Sequence, residues 1–67
     1  MKEVDARGLS CPEPIMLTLD AIKGNKDTVK VLVSEPHQKM NVEKCAKDQG
    51  RTTEAVEKDG YFEVVIK

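Results

Sequence analysis

Sixty-seven residues make one domain at most, because chains run to about 100 to 150 residues per domain and one this short buries only about 60% of its unfolded surface. An apolar fraction of 39%, a charged fraction of 34%, no Trp, one Tyr and one Phe describe a small globule with a thin aliphatic core and no room for a deep substrate cavity. Eleven basic against twelve acidic residues leave a net charge of −1, so no overall field attracts nucleic-acid phosphate or an anionic membrane, although local patches remain.

The longest apolar run falls far short of the ~18 residues of a membrane span. The charged start Met1-Lys2-Glu3-Val4-Asp5 lacks the apolar stretch of a signal peptide. The expectation is a soluble, cytoplasmic protein without membrane insertion, and in that compartment Cys11 and Cys45 are expected as reduced thiols rather than a structural disulfide.

Residues 2 to 6 form a short extended candidate, and the following Arg7-Gly8-Leu9-Ser10 contains a glycine able to adopt a backbone conformation that other residues resist. A helix is predicted from Pro12. Its apolar positions Ile15, Leu19 and Ile22 fall on one stripe at i, i+4, i+7, and Gly24 stands where a left-handed cap belongs. Leu17 lies about 200° around from Ile15 and is predicted to face away from the core.

Val29 to Val33 alternates so that three valines share one strand face and Lys30 and Leu32 share the other. Pro36 suits the first turn of a second helix, with Val42, Cys45, Ala46 and Gln49 as its inward stripe and Gly50 as its end. Residues 51 to 57 and 61 to 66 then flank Lys58-Asp59-Gly60, a hairpin signal, and Phe62, Val64 and Ile66 form a period-two inward face. The order is β-α-β-α-β-β. Helical crossovers make the first two strands parallel if they share a sheet, and the hairpin is antiparallel, so the predicted fold is an α/β (α+β) two-layer sandwich spanning residues 1–67, its mixed four-stranded sheet carrying both helices on one face. The spatial order of the strands is not legible.

Ser10-Cys11-Pro12-Glu13-Pro14 carries the chemistry. Pro12 fits the first helical position and pushes the preceding residue out of helical geometry, making Cys11 the predicted N-cap at the positive end of the helix dipole. A free thiol of pKa ~8.5 is about 3% thiolate at pH 7, and lowering the pKa to ~7 needs roughly 2 kcal/mol. The dipole supplies about 0.3 to 1 kcal/mol, and Pro12 and Pro14 remove two backbone donors. Arg7 is the nearest candidate for the rest, while Glu13 acts in the opposite direction. The expected result is a moderately activated, exposed nucleophile, which suits sulfur exchange, where a group that both attacks and leaves works best with a pKa near ambient. The plain alternative is that Cys11 merely caps a helix.

The run Val4-Asp5-Ala6-Arg7-Gly8-Leu9-Ser10-Cys11-Pro12-Glu13-Pro14 resembles the signature of the TusA (SirA-like) sulfur-carrier family, in which Asp-x-Arg-Gly-Leu-x-Cys-Pro-x-Pro leads into the first helix. The resemblance spans essentially the whole chain and implies a two-layer sandwich with a mixed four-stranded sheet. It implies that Cys11 accepts sulfane sulfur as a persulfide from a cysteine desulfurase or rhodanese-type donor and passes it to an acceptor protein. Family pathways of this kind feed tRNA thiolation, molybdenum-cofactor assembly or the handling of reduced sulfur compounds, and some relatives are associated with selenium metabolism or thiosulfate uptake. Asp5 and Arg7 are then positioning and electrostatic support, Gly8 a backbone requirement, and Pro12 and Pro14, with Glu13 between them, the device holding Cys11 at the helix mouth.

The remaining residues have plainer readings. Cys45 is expected to pack in the core, the alternative being a resolving thiol, which needs Cα atoms within about 7 Å. His37 is the one histidine, and the two thiols stand 34 residues apart with no close ligand pair, so no metal or organic cofactor is implied. Lys39, Lys44, Lys47 and Arg51 make a basic side open to an acidic partner or to RNA. Single-strand readers add stacking aromatics, and only Tyr61 and Phe62 exist, so no direct nucleic-acid binding is expected. Met16 and Leu17 are expected to form an apolar rim for docking donor and acceptor proteins. The reading is a monomeric or weakly associating carrier, with a thiosulfate-type small-molecule sulfurtransferase or an RNA-binding module as alternatives.

Overall fold

The structure, a computed structural model, describes residues 2–9, 13–24 and 26–67. Its elements are β1 (Lys2–Asp5), α1 (Glu13–Ile22), β2 (Val29–Val33), α2 (Pro36–Asp48), β3 (Thr53–Lys58) and β4 (Tyr61–Ile66). The strands form one mixed sheet in the order β1-β2-β4-β3, with β1 parallel to β2 and the other two pairs antiparallel. The predicted α+β sandwich is therefore the observed fold, and the spatial order, with β4 inserted beside β2, is new information.

Val29, Val31 and Val33 are fully buried and cluster with Ala6, Ala21, Ile22, Val42, Ala46, Val64 and Ile66. One core thus takes residues from both helices and from a single sheet face. The period-two reading of β2 and β4 holds, with Phe62 partly buried at the core's edge. On the opposite face Lys30 lies opposite Glu3 across the β1–β2 pair, 4.0 Å away, and 3.7 Å from Glu63 on β4. Leu32 occupies this outer face as predicted, yet it is only 6% exposed.

Two inward stripes differ from expectation. Helix α1 buries Pro14, Thr18, Ala21 and Ile22, whereas Leu19 is 37% exposed and Ile15 half-buried. Ile15 and Leu19 instead line a shallow groove of about 380 Å³ against Asn41, Lys44, Cys45, Asp48 and Gln49 of the second helix and its exit. The apolar stripe therefore serves the helix–helix seam. Small Ala21 and Thr18, whose hydroxyl donates to the Pro14 carbonyl at 2.7 Å, fit the buried face of α1, since a buried hydroxyl with a partner carries little penalty.

Helix α2 turns Gln38, Val42 and Ala46 inward. Cys45 is half-buried in the seam and Gln49 is exposed, so neither belongs to the core as predicted. At the end of α2 the Gly50 N–H donates to the Lys47 carbonyl and the Arg51 N–H to the Ala46 carbonyl, with Gly50 at φ 77°. That is a Schellman closure, and it explains why the helix stops where the glycine predicts. The hairpin turn is tighter than expected, since Lys58 already pairs with Tyr61 and leaves Asp59-Gly60 as the connection.

Candidate functional site

The loop leaving β1 is built from local chemistry. The Ala6 N–H donates to the Leu32 carbonyl at 2.8 Å, extending the β1–β2 ladder, and the Leu9 N–H returns to the Ala6 carbonyl at 3.4 Å. These bonds close a four-residue turn with Gly8 at its third position, φ 79°, as a type II turn requires. A Cβ added to Gly8 would meet nothing within 4 Å. The glycine is needed for its backbone conformation and not for space.

Asp5, the last residue of β1, braces this turn. One carboxylate oxygen accepts from the Arg7 backbone N–H at 3.2 Å and from Arg7 Nε at 2.9 Å, and the other accepts from Arg7 Nη2 at 2.9 Å. These bonds, side chain first and backbone second, hold the Asp5 carboxyl down at about 2 and push the Arg7 guanidinium up. The guanidinium also lies 5.0 Å from the centroid of the Tyr61 ring on β4, a cation–π distance. Arg7 thus ties the turn to Asp5 on β1 and to Tyr61 on β4.

Two side chains from the β2–α2 junction cross over to the same loop. Ser34 Oγ accepts from the Gly8 N–H at 2.8 Å, and Gln38 Nε2 donates to the Leu9 carbonyl at 2.6 Å. On the far side of the loop α1 begins at Glu13, whose carboxylate in the first turn complements the helix dipole. Pro14 is fully buried. Cys11 and Pro12, predicted as nucleophile and first helical residue, lie outside the described residues. The chain is therefore anchored at Asp5, Arg7, Gly8 and Leu9 before them and at Pro14 after them. Met16 and Leu17 are 62% and 39% exposed, so Leu17 faces away from the core as predicted.

Sequence reasoning missed Ser34, Gln38, Tyr61 and Thr18. A parallel β1–β2 pairing already implies that the residues after β1 lie near those after β2, and this is the signal that would have found Ser34. The basic side of α2 is partly committed to structure. Lys39 pairs with Glu43 at 3.5 Å and lies 6.0 Å from the Phe62 ring centroid, and Arg51 donates to the carbonyls of Lys67 and Asp27. His37 is exposed. Among the described residues no group of three or more His, Cys, Asp or Glu is placed to hold a metal ion, and no helix is long and apolar enough to cross a membrane. Cys45 is a free thiol, pushed up first by burial and then by Asp48.

The fold and site together define a small α+β two-layer sandwich whose first βα connection has the sequence Cys-Pro-Glu-Pro and is flanked by a tethered turn and a buried proline. Comparison with known proteins makes the assignment specific. The family model described as Sulfurtransferase TusA matches residues 2–67, and the chain belongs to that family. It is also similar to the crystal structure of a SirA-like protein from Desulfitobacterium hafniense, with 34% identity, coverage of 98% of this chain and 95% of that one, and a TM-score of 0.93. No curated protein matches it significantly.

Proposed function

We propose that residues 1–67 act as one sulfur-carrier domain that holds sulfane sulfur as a persulfide on Cys11 and hands it to an acceptor protein. Membership of a sulfurtransferase family supports this reading. The observation that carries it is the bracing on either side of Ser10-Cys11-Pro12: Asp5, Arg7, Ser34 and Gln38 hold the chain before this stretch and buried Pro14 follows it, and Cys11 is the one thiol of the motif. A helix needing only a cap requires none of this.

In the transfer the Cys11 thiolate attacks the terminal sulfur of a donor persulfide. A bond forms between Cys11 Sγ and that sulfur, the donor's own sulfur–sulfur bond breaks, and the donor leaves as a thiolate carrying the electron pair. The proton on the terminal sulfur travels with it, and no external oxidant or reductant enters. The donor is a cysteine desulfurase or rhodanese-type protein, and the acceptor repeats the same attack on loaded Cys11. The acceptor pathway is tRNA thiolation, molybdenum-cofactor assembly or a related branch of sulfur metabolism. The carrier works as a monomer in the cytoplasm and needs no cofactor. Asp5, Arg7, Gly8, Pro12, Glu13 and Pro14 support the thiol, and Met16 and Leu17 seat the donor and the acceptor in turn.

The test is intact-mass analysis after incubation with a cysteine desulfurase and cysteine. Wild type is expected to gain ~32 Da per sulfur, Cys45→Ser to do the same, and Cys11→Ser to gain nothing. Loading that survives Cys11→Ser would sink the proposal. Steady release of sulfide or thiocyanate by the isolated protein would replace the carrier with an enzyme. Leu17→Glu is expected to slow loading from the donor, and a wild-type rate would remove the docking role.

A further inference from the structure

Gln38 is the polar side chain of α2 that is turned fully inward. It is 5% exposed and stands one turn before Val42 on the buried stripe, where an apolar residue would ordinarily fill the space. Its carboxamide is used on one side only. Nε2 donates to the Leu9 carbonyl at 2.6 Å, while Oε1 is buried without a hydrogen-bond partner among the described residues. The orientation is not interchangeable, because flipping the amide would bring two oxygens together at the Leu9 contact.

A buried polar group with half its capacity unused is a cost that native proteins seldom carry without a reason. Met or Leu would fill the same volume without desolvating an amide. Core filling therefore does not account for glutamine at this position, and the bond to Leu9 does. Leu9 lies two residues before Cys11 in the chain. The neighbouring Ser34 Oγ holds Gly8 by its N–H at 2.8 Å, so both bonds run from the β2–α2 junction to the segment leading to the thiol.

We propose that Gln38 is a positioning residue for sulfur transfer: it gives up an acceptor's hydrogen bonding in the core in order to fix the Leu9 carbonyl, and so sets the reactivity of Cys11. The proposal rests on Cys11 as the sulfur-bearing residue. Ser34 is the weaker second tether. Without Gln38 the Leu9 carbonyl loses its tether to α2, and Cys11, two residues further along the chain, is expected to react more slowly.

The test compares wild type with Gln38→Met and Ser34→Ala. Alkylation by iodoacetamide is followed from pH 6 to 10 by peptide-resolved mass spectrometry, which reads Cys11 and Cys45 separately, and thermal melts are recorded alongside. For Gln38→Met the expected results are a drop of about fivefold in the Cys11 rate at pH 7, the size that one hydrogen bond commands, an upward shift of its pH profile, an unchanged Cys45 rate, and a melting temperature equal to or above wild type. Ser34→Ala is expected to shift Cys11 in the same direction by less. A residue with a purely structural role would instead lower the melting temperature and raise the Cys45 rate. A Cys11 rate and pH profile within twofold of wild type in both variants would overturn the proposal. Sulfur loading of wild type is measured in parallel. If wild type fails to load, the carrier reading falls, whereas normal loading with unaltered Cys11 reactivity in the variants removes the role of Gln38 alone.

Discussion

Replacing Arg7 with Gln leaves the Asp5 carboxylate without its cationic partner. In the native turn two oxygens accept three bonds from Arg7, at 3.2, 2.9 and 2.9 Å, and the carboxyl sits at about 2 against an ordinary 3.8. The folded carboxylate therefore holds a proton more weakly than a free one does, because the Arg7 side chain and then its backbone N–H stabilise the charged form. Because the folded value is depressed, the stabilisation is fully present above the ordinary carboxylate value and is lost as the pH falls through about 2. The brace is therefore intact throughout the neutral and mildly acidic range and contributes nothing to pH dependence near 7. Carbon-detected NMR of the Asp5 carboxyl between pH 1.5 and 5 reads this directly. The wild-type midpoint is expected near 2 and the Arg7→Gln midpoint close to 3.8, less the small depression from the surviving Arg7 backbone bond. Both side chains are about half exposed, so 1 M salt, with a screening length of about 3 Å, is expected to pull the wild-type midpoint part of the way back. A wild-type midpoint already near 3.8, or one that ignores the substitution, would refute the brace.

Three further outcomes follow from burial and backbone conformation. Val42→Ala removes two methyl groups from a fully buried position and is expected to cost about 2 kcal/mol, read in urea unfolding or as a fall of about 10 °C in melting temperature; a loss below about 0.5 kcal/mol would mean that the helix–sheet seam repacks freely. Gly8→Ala is expected to cost about 1–2 kcal/mol and Gly8→Asn less, because the added Cβ meets nothing and the penalty is the φ of 79° alone, which Asn tolerates better; equal stability of the two variants would contradict that assignment. Cys45 is expected to alkylate more slowly at pH 7 than a free cysteine, since burial and Asp48 both disfavour its thiolate; Asp48→Asn speeds it modestly and urea abolishes the protection. A Cys45 rate equal to that of a model thiol would place it outside the seam.

Several parts of this protein are written in short stretches of chain. The valine alternation of β2, Pro36 at the start of α2, the Gly50 cap and the Asp59-Gly60 turn depend on neighbours within a few residues, and all stand where local rules put them. The Asp5-to-Pro14 motif is equally local, and its family was legible from residue types alone. Other features depend on residues far apart in sequence. The Ser34 and Gln38 tethers span 26 and 29 positions. The order β1-β2-β4-β3 follows from which strand edges meet, about which hairpin and crossover rules are silent. The faces of α1 and α2 are legible in part for the same reason: Ile22, Val42 and Ala46 are buried as predicted, whereas Ile15, Leu19, Cys45 and Gln49 are not. Apolarity ranked Ile15 and Leu19 above Thr18, and Cys45 above Gln38, yet an internal bond to Pro14 makes Thr18 fit to bury and a distant carbonyl does the same for Gln38. A polar side chain's tolerance of the interior is set by the partner it finds there, and that partner is supplied by the folded chain.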